Sequence, residues 1–240
     1  MRYILLCFII FLGSCNSGDQ NLTGKDIIAK SIQKHDSNNK WSSTDMHLRI
    51  QEPRFQNPVR YSIVKLNNKT GAFSLQRNRD HHVSNHIIDE QGNATTYLDG
   101  KTITDTLLIK KYRLDPSRNT VYRRFYQSLM GLPMSLHIEK LDSIGDVSQV
   151  IFNDIRSYMV PIELEKPLFS KHWNLFFSRD DFSMIGIEMI FPDDLTKGER
   201  LFFEGSANIN GVTIPRHKHW HDLSGEYLGS DIIIKEITKE

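Results

Sequence analysis

Short apolar–polar alternations, broken every few residues by polar turn formers, constrain this chain more than any other feature. Met46, Leu48 and Ile50 alternate with His47, Arg49 and Gln51, the period of a strand with one buried face. Tyr61, Ile63 and Lys65 repeat the pattern, then Phe73, Leu75 and Arg77, with an Asn-Asn-Lys-Thr-Gly turn at 67–71 between them. Asp99-Gly100, between 95–98 and 101–104, predicts a two-residue hairpin, because both central positions of that turn need positive φ. Further strands are predicted at 136–141, 147–152, 173–178, 184–191, 200–209, 212–221 and 232–237, the Asn208-Gly211 segment turning one into the next. So many antiparallel strands would leave long exposed edges unless the sheet curls.

Two segments break this period. Thr23-Gly24-Lys25-Asp26 has the form of a capping box. Ile27, Ile28, Ile32 and His35 follow at helical spacing, and Asp36-Ser37-Asn38-Asn39 stops the helix. A second helix is predicted over 116–130, with Asp115 as N-cap, Pro116 in the first turn, Gly131 closing the end in a left-handed conformation and Pro133 beyond it. Tyr122, Phe125, Tyr126 and Leu129 share one face of it with Val121, and arginines occupy the other. The expected fold is therefore α+β and mainly antiparallel β. It is a curled or incomplete barrel covered by an N-terminal and a mid-chain helix, in one domain over 23–240.

Residues 1–22 stand apart. Arg2 precedes an apolar run at 4–12, too short to span a bilayer, and Leu12-Gly13-Ser14-Cys15 resembles a lipobox. The expectation is a signal peptide over 1–14, removed by cleavage before Cys15, lipid on that cysteine, and a polar tether over 15–22. Both cysteines are then accounted for and the mature domain holds no disulfide. With Asn16 after the cysteine, outer-membrane placement facing the periplasm is expected. The chain has 30 Lys and Arg against 29 Asp and Glu, a formal charge of +1. No basic stripe suggests a nucleic-acid partner.

Candidate chemistry is sparse. His217, His219 and His221 lie on one face of a predicted strand, about 6.6 Å apart, with Lys218 and Trp220 on the other; bent, the three could hold zinc or copper. His81, His82 and His86 form a looser group expected at the surface. Asp180-Asp181 and Asp193-Asp194 sit in predicted turns. No nucleophile elbow, zinc-protease, phosphate-loop or dinucleotide motif is present. No enzyme activity and no cofactor are expected. Tyr122, Phe125, Tyr126, Leu129 and Trp173 are the candidate lining of an apolar cavity, or equally the filling of a core.

The order of parts, with Gly211-Val212-Thr213-Ile214-Pro215 in the strand-rich half, resembles the periplasmic lipoprotein-carrier superfamily, which includes a lipoprotein chaperone and its outer-membrane receptor. The stretch His35-Asp36-Ser37-Asn38-Asn39-Lys40-Trp41 is similar to a helix-ending Tyr-His-Asp-Pro-Asn-Gly-x-Trp run in a family of Gram-negative lipoproteins with no assigned activity. Here Ser37 and Asn39 replace the proline and glycine. Tyr227-Leu228-Gly229-Ser230-Asp231 also looks like that group. The resemblance implies an unclosed barrel whose concave face binds acyl chains. Three functions stay open: binding a lipid or amphiphile in a β-cavity, metal binding through the 217–221 histidines, and docking to an envelope protein.

Overall fold

The computed structural model describes residues 22–57, 59–137 and 139–236. The predicted signal peptide, Cys15 and nearly all of the tether lie outside the described residues.

The first helix, α1 (Gly24–His35), begins as expected. Thr23 accepts from the Asp26 amide, and the Asp26 carboxylate accepts from the Thr23 amide at 2.9 Å. Its end is held more firmly than a run of turn formers would manage. Asp36 is buried, and its two carboxylate oxygens accept the amides of Lys40 and Trp41, each at 2.8 Å. Five strands follow as a meander: β1 (Asp45–Gln51), β2 (Tyr61–Asn67), β3 (Phe73–Arg79), β4 (His82–Ile88) and β5 (Ala94–Leu98). Then come α2 (Thr106–Tyr112) and α3 (Arg118–Met130). The second half is β6 (Leu141–Ile144), β7 (Ser148–Phe152), β8 (Ile155–Leu168), β9 (Ser170–Ser178), β10 (Met184–Ile190), β11 (Gly198–Ile209), β12 (Val212–Asp222) and β13 (Tyr227–Glu236).

All thirteen strands join one antiparallel sheet that does not close. Its order is β5-β4-β3-β2-β1-β13-β12-β11-β10-β9-β8-β6, with β7 also paired to β8. The first and last strands meet in the middle, Gln51 opposite Ile232 and Leu48 opposite Glu236. The free edge at β5 is sheltered by α2, where Leu98, Tyr112 and Leu114 bury a small satellite core. Inside the curl, Tyr126, Leu129, Met130, Leu132 and Met134 pack against strand residues such as Leu48, Val64, Leu75, Leu175 and Ile214.

The registers place loop 52–60, turn 80–81, the Asp99-Gly100 turn, Phe169, loop 191–197 and turn 223–226 at one end of the sheet, called the rim below. Helix α1 lies across the other end, where His35 Nδ1 donates to the Thr213 carbonyl at 2.9 Å and Nε2 accepts the Met184 amide at 3.1 Å.

Several expectations are corrected. Residues 134–137 form a 3-10 turn, and β6 begins only at Leu141. The second arm of the Asp99-Gly100 hairpin is a single bridge, Leu98 to Lys101, before the chain enters α2, which periodicity did not predict. The mid-chain helix starts at Arg118, because Asp115 caps the amide of Ser117 in a preceding turn. Val121 is exposed and does not share the buried face. Strands β4 and β8 were also unforeseen. Ser84 and His86 are polar residues turned inward on β4, and Pro161 with three glutamate or lysine positions obscures the alternation of β8.

Gly131 closes α3 at φ −89°, not in the left-handed region. The glycine is needed for space: a Cβ there would stand 2.0 Å from Trp41 Cζ2 and 2.6 Å from the Gln127 carbonyl oxygen. Gly131→Ala should therefore cost about 1–3 kcal/mol of overpacking strain, read as a lower urea midpoint. An unchanged midpoint would mean that Trp41 yields freely and does not lock α3 to the end of α1.

Candidate functional site

The interior near the rim holds charge. Glu52, just after β1, and Arg77 on β3 are both buried. Arg77 reaches the Glu52 carboxylate at 3.2 Å and donates through Nε to Ser62 on β2 at 3.0 Å. Tyr126 of α3 donates to Glu52 at 2.8 Å and also meets Arg77. Arg60 closes the set, Nε to Glu52 at 2.8 Å. Burial pushes the Glu52 carboxyl up, but Arg77, Arg60 and the Tyr126 bond outweigh it and hold it below its ordinary value. Burial works against the Arg77 guanidinium too, and Tyr126 and Glu52 reverse the balance.

Above this network lies a groove of about 460 Å³. Arg54 and Arg60 from loop 52–60, Arg77 and Arg79 from β3, and Lys111 and Arg113 from the end of α2 line it, against a single acid, Asp80. Glu52 answers Arg77 and Arg60, Asp231 answers Arg54 at 2.7 Å, and Asp80 stands 3.7 Å from Lys111. Arg79 and Arg113 form no ion pair among the described residues. Burial and the neighbouring Arg77, with Arg113 and Arg60 further off, depress the Arg79 pKa. Arginine stays charged at any relevant pH, so an anion bound between these groups would relieve the repulsion. Guanidinium forks suit a phosphate or carboxylate.

The groove adjoins an aromatic path. Asp231 accepts from Arg54 and, on its other oxygen, from Trp220 Nε1 at 2.9 Å. The Trp220 ring stacks 6.4 Å from Phe125, and Phe125 meets Phe169 edge-on at 5.2 Å. Phe169 is 58% exposed. Phe55, Val59, Leu195 and Tyr227 are exposed at the same end.

Of the candidate lining residues, Tyr126, Leu129 and Trp173 are buried in the main core, while Tyr122 and Phe125 are half-buried against it. On β12 the histidines do face away from Lys218 and Trp220, which point inward. His217 and His219 converge with Glu204. His221 instead packs between Phe202 and Tyr227. The two acid pairs serve turns at opposite ends of the sheet: Asp181 caps Ser183, and Asp194 caps Thr196. His86 is not at the surface. It is buried on β4, Nδ1 donating to Asn119 of α3 at 3.0 Å. Sequence reasoning missed the groove because its cations come from three separate segments.

An open antiparallel sheet, crossed on its concave side by one helix and covered at one end by another, defines the class as an open-barrel fold. The structure is similar to a domain described as an outer membrane lipoprotein-sorting protein from Vibrio parahaemolyticus, with TM-score 0.51, 10% identity, and 88% of this chain and 90% of that chain covered. It is similar also to a LolA superfamily protein from Nitrosomonas europaea, with TM-score 0.51, 8% identity, and 91% and 94% covered. At identities this low the likeness shows a common fold and nothing beyond it. The chain belongs to the family of unknown function DUF6503, whose sequence model matches residues 1–166. No curated protein matches the sequence, and no described helix is long and apolar enough to cross a membrane.

Burial pulls the His86 imidazole down from 6.5 to about 4, against the raising effect of the Asn119 bond. The unfolded chain thus takes up a proton that the folded chain refuses. The stability this site contributes is whole above pH 6.5 and is lost as pH falls towards 4, about 3 kcal/mol in all. Urea unfolding between pH 7 and 4 should show this slope, shallower in His86→Gln. Parallel slopes in both proteins would show that His86 is not the group responsible.

Proposed function

We propose that this chain is a lipid-anchored protein of the cell envelope that binds an anionic amphiphile at the rim of its open barrel. The observation that carries the reading is the basic groove, with Arg79 and Arg113 left unanswered, joined through Arg54 and Asp231 to the Trp220–Phe125–Phe169 path. An acidic head would bridge Arg79 and Arg113. The apolar part would lie along Phe125 and Phe169, with Tyr122 near by and Tyr126, Leu129 and Trp173 as the packed wall behind. Each methylene buried there adds about 0.8 kcal/mol. The concave side is well filled, which favours a ligand held at the mouth over one swallowed whole. The superfamily likeness supports an apolar ligand; the arginines add the requirement for negative charge.

The anchor rests on the apolar run at 4–12 and on Leu12-Gly13-Ser14-Cys15. Outer-membrane placement, facing the periplasm, follows from Asn16 after the cysteine. Cys15→Ala should leave the protein off the membrane, and the mature wild-type N-terminus should carry the mass of a lipidated cysteine. An unmodified N-terminus on membrane-bound protein would overturn this part alone.

For the ligand, tryptophan fluorescence can follow titration with lauryl phosphate and with an uncharged alcohol of equal chain length. The phosphate should bind more tightly and lose affinity as salt rises. Arg79→Ala and Arg113→Ala should each weaken it by roughly tenfold to a hundredfold, the value of about 1.5–3 kcal/mol for a hydrogen bond to a charged group. Arg79→Ala should not lower the unfolding midpoint, because it relieves like-charge repulsion. Equal affinity for alcohol and phosphate, or variants that bind like wild type, would sink the proposal.

A further inference from the structure

The convex face of the same sheet carries a second cluster, independent of the groove. Glu204 on β11 is the cross-strand partner of His217 on β12, and His219 is two residues further along the same face. One carboxylate oxygen and one nitrogen from each imidazole lie within 4.8 Å of one another. His219 Nε2 already stands 3.4 Å from Glu204 Oε2. With metal–ligand bonds of about 2.0–2.1 Å, two ligands of a tetrahedral ion sit about 3.3 Å apart. That edge of the site therefore exists, and the partly exposed His217 can reach the third corner by side-chain rotation.

The other nitrogen of His219 is committed. Nδ1 lies 2.7 Å from Ser230 Oγ, which is buried and in turn 2.6 Å from the Tyr227 hydroxyl. With the proton on Nδ1 donated to Ser230, Nε2 presents its lone pair towards Glu204 and His217. Metal-ligating histidines are held in this way, by a partner on the nitrogen that does not bind.

We propose that Glu204, His217 and His219 form a site for a divalent transition-metal ion, of which Zn²⁺ suits two imidazoles and a carboxylate best. Glu204 is 74% exposed as a side chain, so the fourth position opens to water. Ser230 is a positioning residue, acting through His219. His221 takes no part, since Phe202 and Tyr227 enclose its ring.

The test is calorimetric titration of the untagged, chelator-stripped full chain in detergent with Zn²⁺. One equivalent should bind, and Co²⁺ in its place should give the visible absorption of a tetrahedral ion. His219→Ala and Glu204→Gln should each weaken Zn²⁺ by more than about tenfold, and Ser230→Ala by about tenfold. His221→Ala should bind like wild type. Thermal unfolding of each metal-free variant checks that it is folded, and Zn²⁺ should raise the midpoint of wild type but not of His219→Ala. No stoichiometric binding by folded wild type would overturn the proposal. So would undiminished binding by folded His219→Ala, or a loss caused only by changing His81 or His82.

Discussion

Arg77 carries a full charge inside the curl of the sheet, and much of the molecule is arranged to answer it. Glu52, Ser62 and Tyr126 come from a strand end, a second strand and the crossing helix, and all three converge on this guanidinium. An isolated charge in such surroundings would cost far more than one interaction returns, so the whole set must be in place together. The consequence reaches packing. Tyr126 cannot leave Glu52 and Arg77, so α3 is tied to β1–β3 and the interior beneath it stays filled. Arg77 also lines the rim groove, so this network lies directly beneath the cations gathered there.

Much of the architecture was legible in the residues. The Thr23–Asp26 capping box, the Asp99-Gly100 and Asn210-Gly211 turns with positive φ at all four positions, and the alternation of β1, β3, β10 and β12 are local features, decided by neighbours in sequence. What escaped was decided at long range. Strand β4 turns Ser84 and His86 inward because Arg77 and Asn119 wait for them, so its buried face does not read as apolar. Helix α2 is short, and it exists to cover the β5 edge. The groove was illegible for the same reason: Arg54, Arg79 and Arg113 meet only once strand order and the rim are known. The histidine face of β12 was visible, but Glu204, which lies close to His217 and His219, belongs to the neighbouring strand.

The stretch from His35 to Trp41 shows how a motif can be structural throughout. His35 bridges β12 and β10 with one nitrogen each, Asp36 caps two amides, and Trp41 fills the space that Gly131 leaves. Burial depresses the His35 pKa, consistent with a neutral ring that donates at Nδ1 and accepts at Nε2. His35 thus ties α1 to the sheet, Asp36 holds the turn that follows the helix, and Trp41 packs against the end of α3. All six cations of the groove also lie within residues 1–166, the part that matches the family.

The groove and the histidine cluster lie on opposite faces but are each held by one of two adjacent residues of β13. Successive strand side chains point to opposite faces. Ser230 therefore sends its hydroxyl outward to His219, and Asp231 sends its carboxylate inward to Trp220 and Arg54. The Ser230 carbonyl accepts a further bond from Arg54 Nη1 at 2.6 Å. A single step along one strand thus orients a histidine on the convex face and an arginine at the rim. The left-over freedom in both sites belongs to long, exposed side chains, Glu204 on one face and the cations of α2 on the other. Each cluster consequently sets a fixed inner partner against an adaptable outer one, on either side of the same sheet.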